Sequence, residues 1–283
     1  MKNLLSAFIG FAPIAVLISC GNVNEADKNA NTDMDTIPAV VSVKGEEVTY
    51  NTDTVEMKGY IAYDSNNTDK RPGILVVHEW WGHTDYVRQR ADMLAELGYV
   101  ALAVDMYGDG QKADHPEDAM KFSGMVMNNM ESSRARFQAA YDMLAAHPYV
   151  EAGSVSAVGY CFGGSLILAF ANDGMDLDGV AAFHSGVALP IMPDSNLTAK
   201  VLVQNGGADP FIPEESVTAF KSAMDGAGAS YEYVSYPGVM HGYTNPAADE
   251  KGAQFELPLA YNKEADEKSW IKLQEFLNGI YVE

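Results

Sequence analysis

A cysteine lies in a glycine-rich turn within the stretch VGYCFGGSL, residues 158–166. Gly159 and Gly163 flank Cys161 at the spacing of a nucleophile elbow, in which the chain turns sharply between a strand and a helix. Such a turn exposes the central side chain beside a helix N-terminus, which favours a thiolate. The pattern predicts a nucleophile, and this stretch alone leaves a buried filler cysteine or a redox thiol as alternatives.

An acid and a base follow this cysteine along the chain. Asp209 comes after the apolar run KVLVQNG, and His241 comes after the run YEYVSYPG. The order nucleophile, acid, base is that of the α/β-hydrolase fold. We expect His241 to take the thiol proton, Asp209 to orient the imidazole, and Cys161 to attack an acyl carbon. Taken singly, Asp209 is also typical of a helix cap and His241 of a loop.

The elements that would position these residues alternate along the chain. Two runs with alternating polarity, VVSVKGEEVTY and TVEMKGYIAY, predict an opening antiparallel strand pair. Further strands are predicted from the apolar runs at 73–79, 99–107, 154–160, 179–185 and 200–206, and from 231–238. Segments of helical period lie between or after them, at 86–97, 119–130, 132–146, 215–227 and 267–280. The predicted fold is α/β, a mostly parallel sheet with helices on both faces, and its ligands should bind beyond the carboxyl ends of the strands.

A second cluster of polar and aromatic residues, HEWWGH, spans residues 78–83. Its histidines and glutamate lack the spacing of a zinc motif such as H-E-x-x-H, so we predict no metal and no cofactor. Glu79 is the last residue of a predicted strand, and we expect its carboxylate to face the same site as Cys161. For the two tryptophans, simple packing is the alternative role.

Backbone N–H groups are expected to form the oxyanion hole. One belongs to Phe162, directly after the nucleophile, and the other to Trp80, in the loop after the first parallel strand. Aromatic side chains near the strand ends are candidates for lining the substrate site. These candidates are Trp81, Tyr107, His184 and Tyr243.

The N-terminus has the features of a bacterial lipoprotein signal: one positive charge, an apolar run over residues 4–18, and the sequence LISC. We expect residues 1–19 to be a signal peptide and Cys20 to carry the lipid, with an ordinary signal peptide and a chance cysteine as the alternative. The polar residues 20–37 predict a flexible tether, and one folded domain follows over residues 38–283. The predicted location is the bacterial cell envelope, lipid-anchored at the periplasmic face or outer membrane.

The charge of the chain excludes some classes of partner. The formal net charge is -21 over 283 residues, so the surface repels nucleic acid and the anionic headgroups of lipids. The N-terminal lipid would then be the only contact with a membrane. The hydrophobic content of 47% is enough to bury a sizeable core, and the sequence assigns no oligomeric state.

The sequence also resembles the dienelactone hydrolase family of α/β-hydrolases. The resemblance lies in the motifs HEWWG, ALAVDMYGDG, GYCFGG, GADPFIP, MHGYTNP and AYNKEADEKSW, which occur in the family's order. It implies a triad of Cys161, Asp209 and His241, with Glu79 as an additional carboxylate that helps to form the thiolate once substrate binds.

Two positions depart from that family. Its founding members hold a carboxylate-bearing lactone with two arginines, and here those positions are Gly108 and Asn245. The remaining candidates, Arg88, Arg90, Arg134 and Arg136, are predicted to be helix-surface charges, with substitution by one of them for a missing arginine as the alternative. The resemblance therefore implies the family's chemistry without its carboxylate-bearing substrate.

Taken together, the residues predict a hydrolase that cleaves a small ester or lactone through an acyl-enzyme on Cys161. One alternative is a lipoprotein that keeps the hydrolase fold and only binds a ligand. Another is a peroxide-sensing thiol, which would lack a resolving cysteine because Cys20 is expected to be lipidated.

Overall fold

The structure, a computed structural model, describes residues 40–282. Its strands are β1 (Val43–Asn51), β2 (Glu56–Asp64), β3 (Arg71–Val77), β4 (Val100–Val104), β5 (Val150–Tyr160), β6 (Gly179–Phe183), β7 (Lys200–Gly206) and β8 (Tyr231–Tyr236). Its helices are α1 (Asp85–Glu96), α2 (Pro116–Met127), α3 (Met130–Ala145), α4 (Phe162–Asn172), α5 (Glu214–Ala227), α6 (Ala248–Phe255) and α7 (Lys263–Tyr281). The predicted signal peptide, the lipidation site Cys20 and the tether lie outside the described residues.

One sheet contains all of these strands, in the order β1-β2-β4-β3-β5-β6-β7-β8. β2 pairs antiparallel with both β1 and β4, and the other neighbours pair in parallel. Helical connections between the parallel strands bring their carboxyl ends to the same edge of the sheet. The predicted α/β-hydrolase fold with an antiparallel opening pair is confirmed.

Helices cover the sheet on both faces, as its continuous apolar strands predict. Leu75 and Val77 of β3 belong to one core, which includes residues of α2, α3, α4 and α5. Ile74 and Val76, which point to the opposite face, belong to a second core with residues of α1 and α7. Because both faces are occupied, the edge at the strands' carboxyl ends is left for a binding site.

Helix α4 lies inside the first core. All of its residues except Ser165 are buried, as expected for a helix that is apolar on every side. It spans 11 residues, too few to cross a bilayer. Within residues 40–282, no helix has the combined length and apolar character that a membrane span requires.

Helix α6 is an element that the sequence analysis does not predict. Its sequence, ADEKGAQF, has no apolar stripe of helical period, and only Ala248 and Gly252 are buried. A Cβ atom on Gly252 would lie 2.6 Å from the carbonyl oxygen of Leu259, so this short helix packs by close backbone approach. Hydrophobic periodicity does not detect contacts of that kind.

Candidate active site

Cys161 lies between the end of β5 and the start of α4, as the elbow pattern predicts. Its backbone has φ 54° and ψ −118°, a conformation that costs a non-glycine residue about 1–3 kcal/mol. The Cys161 amide donates a hydrogen bond to the carbonyl of Phe183 in β6, at 2.9 Å. The sheet thus holds the cysteine in the strained turn, with its side chain partly exposed.

Two glycines allow the turn to pack. A Cβ atom on Gly159 would lie 2.5 Å from the carbonyl oxygen of Gly163. A Cβ atom on Gly163 would lie 2.5 Å from the carbonyl oxygen of Val77 and 2.6 Å from that of His78. Both contacts are with backbone, which cannot rotate away, so the first turn of α4 requires glycine here.

Gly163→Ala is therefore expected to lower the free energy of unfolding by at least about 2 kcal/mol, because a methyl group must displace the end of β3. Urea denaturation of the variant and wild type measures the change. Gly226→Ala is the matched control, since no atom lies within 4 Å of its added Cβ. Equal stability of the Gly163→Ala and Gly226→Ala proteins would contradict the close packing.

His241 lies between the other two predicted triad residues. Its Nε2 is 3.1 Å from the Cys161 sulfur, and its Nδ1 donates to Asp209 Oδ2 at 2.6 Å. Asp209 and His241 are only 6% and 7% exposed. Asp209 is fixed in turn by the amide of Phe211, which donates to its Oδ1 at 2.9 Å. The three residues, from the loops after β5, β7 and β8, form one continuous chain of contacts.

The charge state of His241 depends on these neighbours. Burial disfavours the imidazolium, because a charge loses solvation in the interior. The negative charge of the Cys161 sulfur and the hydrogen bond to Asp209 outweigh burial and raise the pKa of His241 to about 10. The imidazolium form, with a proton on each nitrogen, is therefore favoured around neutral pH.

The two predicted oxyanion-hole residues, Phe162 and Trp80, both border the cavity that contains Cys161. Phe162 is the first residue of α4, and Trp80 follows β3 closely. Neither backbone amide donates a hydrogen bond to another residue of the described part of the chain. Both N–H groups are thus without an acceptor among the described residues, and their role as an oxyanion hole stays a prediction.

The cavity that leads to Cys161 has a volume of about 390 Å³ and is open to solvent. Helix α2 forms one wall of it, and the loops after β3 and β7 form others. Its apolar lining consists of Trp80, Met120, Met127, Phe162, Phe211 and Leu259. A cavity of this size accepts a small molecule.

A model of the dienelactone hydrolase family matches residues 57–281. The chain belongs to the dienelactone hydrolase family. Among curated relatives, Protein usf of Aquifex pyrophilus is 30% identical over 73% of this chain and 90% of its own length. An Aquifex aeolicus protein, provisionally named a carboxymethylenebutenolidase, is 28% identical with the same coverage. The solved structure titled m3DLH has a TM-score of 0.80 and 32% identity, covering 84% of this chain and 99% of its own.

Another solved structure is titled a dienelactone hydrolase-like promiscuous phosphotriesterase from metagenomic libraries. It has a TM-score of 0.76 and 29% identity, with coverage of 84% of this chain and 99% of its own. These similarities and the family match establish that the protein is an ester hydrolase with the α/β-hydrolase fold.

The first departure from the family's founding members is Asn245, which forms a pair with Glu79. The Asn245 side-chain amide donates to Glu79 Oε2 at 2.5 Å, and both residues are 6% exposed. Glu79 borders a small cavity together with Cys161 and Trp81. Because its partner is neutral, burial dominates and raises the pKa of the Glu79 carboxyl.

This raised pKa predicts a pH-dependent cost to stability. The folded protein retains the Glu79 proton to a higher pH than the unfolded chain, so the free energy of unfolding should fall as pH rises above about 4.5. Glu79→Gln, which keeps an acceptor for Asn245, is expected to remove this fall and to be at least as stable as wild type at pH 8. Urea denaturation from pH 4 to pH 8 compares the slopes, with exposed Glu96→Gln as control. Parallel curves for wild type and Glu79→Gln would contradict the prediction.

The second departure is Gly108. Its φ is +93°, and a Cβ atom would lie 2.5 Å from Val55 Cγ1, so the backbone has no room for a side chain. Arg136 lies nearby and is buried, with its guanidinium donating to the carbonyls of Met106 and Tyr107 at 2.9 and 2.8 Å. The prediction of a helix-surface charge is wrong for Arg136, because its side chain supports the backbone beneath the site.

Thr244, which sequence analysis does not identify, anchors the loop that carries His241. Its hydroxyl lies 2.5 Å from Tyr86 Oη and 2.8 Å from His184 Nε2, and Arg90 donates to its carbonyl at 2.6 Å. Arg90 is only 5% exposed, so the surface prediction is wrong for it as well. No local pattern marks these residues, because the three contacts join positions 60 to 158 residues apart.

Three of the four expected substrate-lining residues do not border the cavity at Cys161. Tyr107, His184 and Tyr243 are 1%, 0% and 0% exposed, and none of them borders the cavity at Cys161. The two tyrosines donate to backbone carbonyls, and burial lowers the pKa of His184 well below its usual value, so it stays neutral. These rings support the site from beneath. The fourth, Trp81, borders the small cavity beside Glu79.

The histidines of the HEWWGH stretch bond to backbone. His78 Nδ1 donates to the Glu79 carbonyl at 2.6 Å, and His83 Nε2 donates to the Ala103 carbonyl at 3.1 Å. Across residues 40–282, no three His, Cys, Asp or Glu side chains converge in a way that would hold a metal ion.

Proposed function

We propose that this protein hydrolyses a small ester or lactone by covalent catalysis at Cys161. The observation that carries the proposal is the pair of contacts made by His241, to the Cys161 sulfur at 3.1 Å and to Asp209 at 2.6 Å. A histidine held between a nucleophile and a carboxylate is the arrangement that acyl-transfer enzymes use on unrelated folds.

In the acylation half of the reaction, the Cys161 thiolate attacks the ester carbonyl carbon. A C–S bond forms, and the electron pair of the carbonyl moves to its oxygen, which accepts hydrogen bonds from the Phe162 and Trp80 amides. When this adduct collapses, the ester C–O bond breaks and the His241 imidazolium gives its Nε2 proton to the departing alcohol. The product is a thioester on Cys161.

In the deacylation half, neutral His241 takes a proton from water, and the resulting hydroxide attacks the thioester carbonyl. The C–S bond breaks, the carboxylic acid leaves, and the thiolate and imidazolium are restored. Asp209 remains ionised and keeps the Nδ1 proton of His241 in place. Amides suit this route poorly, because the thiolate leaves the tetrahedral adduct more readily than an amine does.

We also propose that Glu79 serves as the family's additional carboxylate, which shifts the proton balance of the Cys161–His241 pair further toward the thiolate when substrate enters. Its support is that Glu79 and Cys161 border the same small cavity. In this protein the neutral Asn245 amide, rather than an arginine, holds the carboxylate in the free enzyme.

A panel of 4-nitrophenyl esters and lactones tests the proposed activity. We expect turnover of at least one ester, and intact mass of the rapidly quenched protein should increase by one acyl group. A panel that is silent throughout, with no acyl adduct, would contradict the catalytic proposal and favour a lipoprotein that only binds its ligand.

For the N-terminus we propose a signal peptide over residues 1–19, a lipidated Cys20 with a tether to residue 37, and a catalytic domain over residues 38–283. The support is the apolar run followed by LISC and then by a polar segment. The protein would then be anchored in the bacterial cell envelope by its lipid.

Fractionation of cells that express Cys20→Ala tests this anchor. The variant is expected to leave the membrane fraction and to lack acyl mass, whereas Cys161→Ala should remain bound to membranes. Membrane-bound Cys20→Ala, or wild type without acyl mass, would contradict the proposal.

A further inference from the structure

Among the described residues that line the cavity at Cys161, His241 is the only side chain that could neutralise a carboxylate. The other lining side chains with polar atoms are Trp80, whose indole N–H can donate but carries no charge, and Ser123, Ser165 and Cys161. The Ser123 hydroxyl donates to the carbonyl of Ala119 at 2.7 Å, and the Ser165 hydroxyl donates to that of Gly186 at 2.8 Å. Both hydroxyl protons are therefore already engaged by backbone.

Three cations around the site are also engaged by other groups. Arg136 is held by backbone carbonyls beneath the site, and Arg90 is paired with Asp266 at 2.6 Å. The Lys251 ammonium lies 3.7 Å from the centre of the Trp81 ring and borders the small cavity on the Glu79 side of Cys161, not the larger cavity along α2. The only cation that a carboxylate in the cavity at Cys161 would meet among these residues is the His241 imidazolium, which already contacts Asp209 and Cys161, so the loss of water is poorly compensated.

The mouth of the cavity is apolar as well. Met120 on α2 is 62% exposed and Phe211 is 49% exposed, and both border the cavity. Deeper along α2, Gly124 and Met127 continue the wall that starts at Met120. An apolar group that enters from solvent therefore meets apolar surface from the rim to the sulfur, and its burial is favourable throughout.

We infer that the substrate is an uncharged ester, one side of which is an apolar alkyl or aryl group that lies against the α2 wall of this cavity. This inference rests on the proposed function and adds the class of substrate. It differs from the carboxylate-bearing lactone of the family's founding members, and it follows from the lining of the cavity.

Two pairs of esters test it on wild type. On the acyl side, 4-nitrophenyl butyrate is compared with 4-nitrophenyl hemisuccinate; on the alcohol side, benzyl acetate is compared with 4-carboxybenzyl acetate. In at least one pair we expect kcat/KM for the neutral ester to exceed that for the carboxylate by about 10²-fold or more. The pair that shows this preference identifies the side of the scissile bond that lies in the cavity.

A matched pair of lysine substitutions separates the cavity from the general charge of the protein. Met120→Lys places an ammonium at the mouth, and we expect it to reduce the preference for the neutral ester about tenfold. Met125→Lys adds the same charge on the same helix at a position that is 46% exposed and does not border the cavity, so the preference should stay unchanged. Both sites are exposed, so neither substitution disturbs the core.

Turnover of the carboxylated esters as fast as the neutral ones in both pairs would overturn this inference and leave the proposed function standing. Equal effects of Met120→Lys and Met125→Lys would also overturn it, because the preference would then come from net charge. Silence with all four esters, while another member of the ester and lactone panel is turned over, would overturn this inference alone. Silence of the whole panel would overturn the proposed function, and the inference with it.

Discussion

Replacement of Cys161 with alanine is expected to lower kcat/KM for every accepted ester by at least about 10³-fold, because the reaction loses the atom that forms the acyl-enzyme. The residual rate would come from the oxyanion-hole amides and from substrate binding alone. Steady-state kinetics with the best ester of the panel, together with intact mass after rapid quenching, measures both the loss of rate and the loss of the acyl adduct.

The effect should be specific to this thiol. Cys20→Ser, which changes the chain's other cysteine, is the matched control and should retain wild-type kcat/KM in purified protein. Cys161→Ser should retain little activity, because a hydroxyl beside His241 is far less acidic than a thiol. Near-normal turnover by folded Cys161→Ala would exclude covalent catalysis at this residue.

Asp209→Asn is expected to lower kcat by about 10³–10⁴-fold through the tautomer of His241. The asparagine can keep its oxygen on the Phe211 amide, so the turn after β7 is preserved. Its NH₂ group would then face His241 Nδ1. Because an NH₂ group only donates hydrogen bonds, Nδ1 must act as the acceptor and therefore carries no proton. The neutral imidazole would carry its proton on Nε2, toward Cys161, where it cannot accept the proton of water.

Kinetics and histidine NMR together test this prediction. The pKa of His241, about 10 in wild type, should fall in Asp209→Asn because the charge and the hydrogen bond of the carboxylate are both lost. Asp225→Asn is the matched control, since Asp225 is an exposed aspartate whose contact is with the Tyr231 hydroxyl. An unchanged kcat in Asp209→Asn would show that His241 is oriented by other contacts.

The sequence assigns the three residues of the proposed triad to one site for a general reason. Cys161, Asp209 and His241 each follow a strand, and the carboxyl ends of parallel strands meet at one edge of the sheet. Apolar runs locate strand ends to within a few residues, so residues far apart in the chain can be assigned to one site. The glycine pattern around Cys161 adds the turn itself, because close backbone approach at Gly163 leaves a direct mark on the sequence.

The position of a residue after a strand does not predict whether its side chain is buried or exposed. His184 and Tyr243 follow strands as His241 does, yet both are fully buried. Their orientation depends on the path of each loop and on contacts such as that between His184 and Thr244. The surface prediction fails for Arg90 for a related reason, since its partner Asp266 is 176 residues away.

The sequence by itself determined the α/β-hydrolase fold and the strand-to-helix turn at Cys161, and it predicts the order of nucleophile, acid and base, because these depend on local periodicity and on glycine spacing. Only the tertiary structure decided which groups the triad and its substrate would meet. The pairing of Glu79 with Asn245 across 166 residues, the engagement of Arg136 by backbone, and the apolar wall of α2 all arise from packing between distant elements. Charge and burial at the site are properties of that packing, and no local pattern in the chain encodes them.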